Sequence, residues 1–229
     1  MLHNTKDIYG HKLTASDGDI GHVQDIYFDD KTWAVRYIVA DTGAWLTGRQ
    51  VLLAPQAFGH LNPDGKILPV HLTRRQIEQS PSIEAHRPVS RQYEEEYYRY
   101  YGWPAYWDGS AMGGFPIITP TPEKLRQHEA QPRKDLHLRS AKSVTGYAIQ
   151  ATDGELGSVR SFLVDDQTWT IRDLVVETGH WYSGKEIKLT TRRVERISYV
   201  DSKVYVHLTK ADLEHTPESA VAKAGTATS

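Results

Sequence analysis

A chain of 229 residues with a formal net charge of −2 is too balanced for bulk nucleic-acid binding, which shows as a strongly basic domain. The absence of cysteine excludes a disulfide scaffold, a thiolate zinc site and cysteine catalysis. Met1-Leu2-His3-Asn4 opens no signal peptide, and no apolar run approaches the eighteen or so residues of a membrane span, so a soluble cytoplasmic protein is expected.

In chain order, the first strong signal is Asp17-Gly18, a two-residue hairpin turn in which glycine takes positive φ at little cost. The run His22 to Phe28 alternates imperfectly, with apolar Val23, Ile26 and Phe28, which predicts a strand carrying a bulge. Asp29-Asp30-Lys31-Thr32 reads as a turn whose Asp side chains bond the backbone two residues on. Trp33 to Val39 is rich in β-formers and predicts a central strand. After a loop at Thr42-Gly43-Ala44-Trp45 come strands over Arg49 to Leu53 and Lys66 to Leu72. Pro69 cannot donate to a ladder, which places the last strand at an edge. Thr73-Arg74-Arg75-Gln76 is a capping box for a short helix ending before Pro81.

The same series recurs at an offset of 136 residues, the distance from Asp17 to Asp153. Asp153-Gly154, Asp165-Asp166, Thr168-Trp169, Arg172, Thr178-Gly179, Trp181, His207-Leu208-Thr209 and Pro217 all fall in register. A repeat this long is a duplicated domain rather than a solenoid unit. The expected organisation is copy one over 1–81, an aromatic linker with short helices over 82–140, copy two over 141–217, and a disordered tail over 218–229. Domains this small are marginal alone and gain by packing on one another. Five or six short strands and a helical turn per copy give an all-β chain of two small barrels related by duplication.

These residues resemble the PRC-barrel domain family, known from the cytoplasmic part of the photosynthetic reaction centre H subunit and from a ribosome maturation factor. The Asp-Gly-x-(Ile/Leu)-Gly-x-Val opening (Asp17 to Val23, Asp153 to Val159), the strand ending in Asp-Asp, the Thr-Trp start of the next strand and Arg49 to Pro55 carry the resemblance. It implies a docking barrel with no family-wide catalytic residue. It also implies two alternatives: an accessory of a photosynthetic electron-transfer complex, or an RNA- or ribosome-associated factor.

In the linker, Tyr93, Tyr97, Tyr100 and Tyr101 lie at helical spacing on one stripe, with Glu94, Glu95 and Arg99 largely off it. Gly102 caps the helix and Pro104 stops it. The stripe, with Trp103 and Trp107, either covers the barrels of its own chain or anchors a protein partner, including a second copy in a homodimer. A base-stacking platform is disfavoured because the run is acidic. A Gly/Pro loop over 108–121, a short helix over 121–128 and a mobile basic approach over 131–139 complete the linker.

No histidine pair has helical metal-binding spacing, and the adjacent aspartates lack the alternation of a calcium loop. His71 and His207, flanked by Val and Leu, are expected to be hydrogen-bonded structural histidines within strands. Arg36 and Arg172 are expected to point outward. Trp33, Trp45, Trp169 and Trp181 are assigned to barrel core and loop packing. Lys185, Lys188, Arg192, Arg193 and Arg196 form the one patch suited to phosphate, although exposed charge is its commoner meaning. No cofactor or metal is expected, and the reading is a non-enzymatic adaptor for a bacterial protein partner.

Overall fold

The computed structural model describes residues 1–46, 50–62, 64, 66–81, 91–103, 137–179 and 184–214, without the side chains of 91–93, 95 and 214. The chain is all-β, built of two sheets with short helices. The first sheet contains β2 (Lys12–Ala15), β3 (Gly18–Asp29), β4 (Val35–Asp41), β5 (Val51–Leu53) and β6 (Ile67–Pro69), in the order β5-β4-β3-β2-β6. The second contains β8 (Ala148–Ala151), β9 (Gly154–Asp165), β10 (Thr170–Thr178), β11 (Glu186–Thr190), β12 (Val194–Ser198) and β13 (Lys203–Val206), in the order β11-β10-β9-β8-β13-β12.

Pairing registers agree between the sheets at the 136-residue offset. Leu13 lies opposite Gly21 as Ile149 lies opposite Gly157, and Val39 opposite Leu52 as Val175 opposite Lys188. The bulge expected in the long strand falls between Val23 and Asp25, and the second sheet shifts register where Val175 and Val176 meet Ser161 and Val159. Glycine is required just before it. A Cβ on Gly21 would stand 1.9 Å from the Asp41 carbonyl oxygen, and one on Gly157 2.0 Å from that of Glu177. β6 ends the first sheet's strand order, as Pro69 demands. The Thr73–Gln76 capping box forms at α2 (Arg74–Glu78), and Thr209 with Asp212 makes the matching bonds at α5 (Lys210–Glu214). β12 has no counterpart in the sequence reading.

The first strand of each half belongs to the other half's sheet. β1 (Leu2–Asn4) pairs with Leu163–Asp165 at the end of β9, and β7 (Leu138–Ser140) pairs with Tyr27–Asp29 at the end of β3. The short helices that follow, α1 (Thr5–Ile8) and α4 (Ala141–Val144), cross over with them, packing on β9 and β3 respectively. At the join, the Val35 amide donates to the Trp169 carbonyl at 2.7 Å and the Ile171 amide to the Trp33 carbonyl at 2.8 Å. Trp33 and Trp169 hold φ of 62° and 47° there, a left-handed conformation that a bulky side chain adopts only at a cost. Phe28 stacks on Trp33 and touches Phe162, and Phe58 packs on Trp169. A single apolar core therefore runs through both halves, the arrangement by which two marginal units share burial.

Three expectations change. The end of the stretch read as a mobile basic approach is the ordered strand β7, with His137 and Arg139 engaged by Asp30; three residues of backbone pairing are too short a pattern to announce a strand. His71 and His207 are exposed, lying beyond the ends of β6 and β13 rather than within a ladder. Arg172 points outward as expected, with its side chain 49% exposed, but Arg36 is buried and its guanidinium holds Asp29 at 2.9 Å. The reason is the linker helix, which covers that face of the first sheet.

Candidate functional site

The linker helix is α3 (Arg91–Tyr101). Its buried stripe is rotated from the one read in sequence: Glu94, Tyr97 and Tyr98 are buried and Tyr101 half-buried, the i, i+3, i+4, i+7 series from Glu94. Tyr100, expected on the stripe, is 39% exposed and donates its hydroxyl to the Gln76 carbonyl at 2.9 Å. Trp103 is half-buried against Tyr97, Tyr98 and Tyr101. The Tyr93 side chain and Trp107 lie outside the described residues.

Tyr97 fixes the helix on the sheet. Its hydroxyl donates to the Leu52 carbonyl at 2.8 Å and accepts from the Ala54 amide at 3.2 Å, while its ring meets the edge of Tyr37. The Tyr37 hydroxyl donates to the Glu94 carboxylate at 3.0 Å. Polar tips thus find partners inside an aromatic cluster, which makes burial of tyrosine and glutamate tolerable. Burial pushes the Tyr98 hydroxyl pKa up. Tyr97 and Tyr98 are spent on their own chain and offer no anchor to another.

The outer face of the first sheet presents Tyr37, Val39, Leu52 and Ala54 to this helix. At the same register positions the second sheet carries Asp173, Val175, Lys188 and Thr190, three of them polar. Arg172 on that sheet pairs with Asp165 at 3.3 Å, and Arg160 pairs with Glu177 at 3.0 Å beside Glu186. Burial raises the Asp173 pKa, and the nearby Lys188 and Arg172 oppose it. The second sheet's outer face is thus a charged surface where the first sheet's is apolar and covered. Pairwise comparison of the two halves in sequence carries this signal; reading each strand by itself does not.

The basic residues fall on different elements of the second half. Lys188 lies on the β11 face, Arg192 borders a groove at the join with Lys31, Trp33, Arg172 and Asp173, and Arg196 stacks over Tyr205 at 3.7 Å. Lys185 and Arg193 are exposed at opposite ends of β11 and its following turn.

The aspartate turns do more than close hairpins. Asp29 accepts from the Lys31 and Thr32 amides at 3.0 and 2.8 Å, and Asp165 does the same for Gln167. The second aspartate of each turn clasps the exchanged strand: His137 and Arg139 bind Asp30, and the Met1 amino group and His3 bind Asp166. Burial tends to raise the Asp166 pKa, but the Met1 ammonium and His3 more than offset it, so it titrates below the ordinary carboxylate range. Asp25 has the opposite balance. Burial holds its pKa up against bonds from the Ser140 hydroxyl and the Ile26 and Lys142 amides. Among the described residues, no group of three His, Asp or Glu could hold a metal ion, and no helix is long and apolar enough to cross a membrane.

Residues 5–74 match the family model described as PRC-barrel domain, so the chain contains a domain of that class in its first half. No curated protein matches the sequence.

Proposed function

We propose that the chain is a non-enzymatic docking module of two PRC-barrels, in which residues 141–217 form a second barrel derived from the first by duplication. Supporting this reading are the shared registers, the matching glycine contacts and capping bonds, and the mutual donation of first strands. The observation that carries the docking role is the contrast between outer faces. One is sealed by the chain's own tyrosine helix, and the other presents Arg172, Asp173, Lys188, Arg160 and Glu177 on a body made rigid by a common core. Interleaved charges of both signs favour a protein surface with complementary charge over a polyanion. A partner protein, or a second copy of the chain in a homodimer, meets that description.

Affinity capture with the full chain, beside an Arg172→Glu/Lys188→Glu variant of unchanged thermal stability, tests the proposal. A defined partner, or a dimer seen by light scattering, should be retained by the parent and lost in the variant. A monomer that retains nothing, or retention indifferent to both substitutions, overturns it.

A further inference from the structure

The two halves also differ in chemistry at one cavity. In the first half, His3, Lys6, Asp7, Ile8, Tyr9, Gly10, His11, Leu61 and Lys66 line a recess of about 610 Å³, within the range of small-molecule pockets. At the corresponding place in the second half, Tyr147 stands where the first has His11, and it packs edge-on against Tyr199 with ring centroids 5.9 Å apart. Arg139 lies over the other ring at 4.7 Å. There the space is filled by aromatic side chains, and Ser202 stands where Lys66 does.

His11 is 3% exposed, and neither ring nitrogen has a hydrogen-bond partner. The Asp7 carbonyl lies near but does not reach hydrogen-bond geometry. Burial, then Lys66 and His3, holds the imidazole pKa below its ordinary value. A neutral imidazole still carries one N–H, and leaving it buried and unsatisfied is costly. A buried polar group in this condition needs an explanation. The backbone around it is well held: the Gly10 amide donates to the Val23 carbonyl, the Val23 amide to the His11 carbonyl, and the Lys12 amide to the Lys66 carbonyl. Lys66, exposed and at φ 49°, borders the ring.

We propose that this recess binds a small organic anion, its phosphate or carboxylate head held by Lys66, Lys6 and the His11 N–H and its apolar body against Ile8, Tyr9 and Leu61. Lys66 lines the same recess as His11 and carries an exposed side chain, and the proposal requires that it swing toward the head so that the buried imidazole edge is opened. Asp7 opposes a second negative charge, and His3 is already committed to Asp166 at 3.0 Å, which suits a ligand of one anionic group. The inference is independent of the docking role and of which protein is docked.

The test is a titration of the full chain with phenyl phosphate, and separately with benzoate, followed by the histidine Cε1–H resonances. A saturable shift of the His11 signal, with phenol and sodium chloride inert, is expected. His11→Tyr and Lys66→Ser install residues that the second half already carries in the same backbone setting, and both should fold; each should weaken binding at least tenfold. His207→Gln, at an exposed histidine, should leave it unchanged. A His11 signal that does not move, that moves equally with phenol or sodium chloride, or that keeps its response when Lys66 is serine overturns the proposal.

Discussion

Tyr37 in the first sheet donates its hydroxyl to the buried carboxylate of Glu94 in the linker helix, 3.0 Å away, across 57 residues of chain. This bond sets which face of the helix turns inward, because a carboxylate with no exposure must keep its donors. Tyr37→Phe removes one of them while preserving the ring. The expected loss is about 2 kcal/mol, or roughly 4–8 °C in Tm for a chain of this size. A thermal melt in which the variant matches the parent would show that the bond does not orient the helix.

Gly21 and Gly157 should both resist alanine. Their φ values are 131° and 150°, and the added methyl would fall on a neighbouring carbonyl at 1.9 and 2.0 Å. Destabilisation of about 3 kcal/mol or more is expected for each. Gly10, at φ 78° with nothing within 4 Å, should lose only about 1–2 kcal/mol on the same change. Chemical denaturation of the three variants gives the ranking.

Asp29 supplies a pH dependence. Burial pushes its carboxyl up, but the Thr32 amide, Arg36 and the Lys31 amide bring it below the ordinary range. A depressed folded pKa means that the stabilisation is fully present above the unfolded value, about 3.9, and is lost as pH falls through the lower folded value. Asp29→Asn should therefore cost about 2–3 kcal/mol near neutrality, and the difference from the parent should shrink towards zero in acid. Stability curves that stay parallel from neutral pH into acid would contradict this.

The strand exchange predicts mutual dependence of the halves. Fragments 1–103 and 137–229, each holding the strand that completes the other's sheet, should co-purify when expressed together through a tag on one of them. Each alone should be poorly soluble. Independent folding of either fragment, shown by a cooperative melt in isolation, would mean that the exchanged strands contribute little.

Much of each half was legible because its signals are local. An Asp-Gly turn, an Asp-Asp turn and a capping box act over two to four residues, and the structure shows all three at both ends of the 136-residue offset. The helix at the tyrosine run was legible from its spacing, yet its inward face was not. Periodicity names a stripe by apolar residues, whereas the buried stripe includes Glu94, a charged residue admitted because Tyr37 meets it.

Arg36 and Arg172 show the same boundary. They stand 136 residues apart, as do the aspartates they bond, but one is buried and the other half-exposed. Neither strand read by itself distinguishes them. The difference comes from a helix more than fifty residues along the chain, which covers the face on which Tyr37 and Val39 lie.

The amino-acid order by itself determined the central strands and the turn chemistry at both ends of the 136-residue offset, since those depend on side chains acting on their own backbone. Only the tertiary structure decided that β1 and β7 change places, that a tyrosine helix closes one face, and that His11 faces a cavity with no partner. Those outcomes depend on which distant surfaces meet, and a three-residue strand such as Leu2–Asn4 carries no pattern that names the edge it will join.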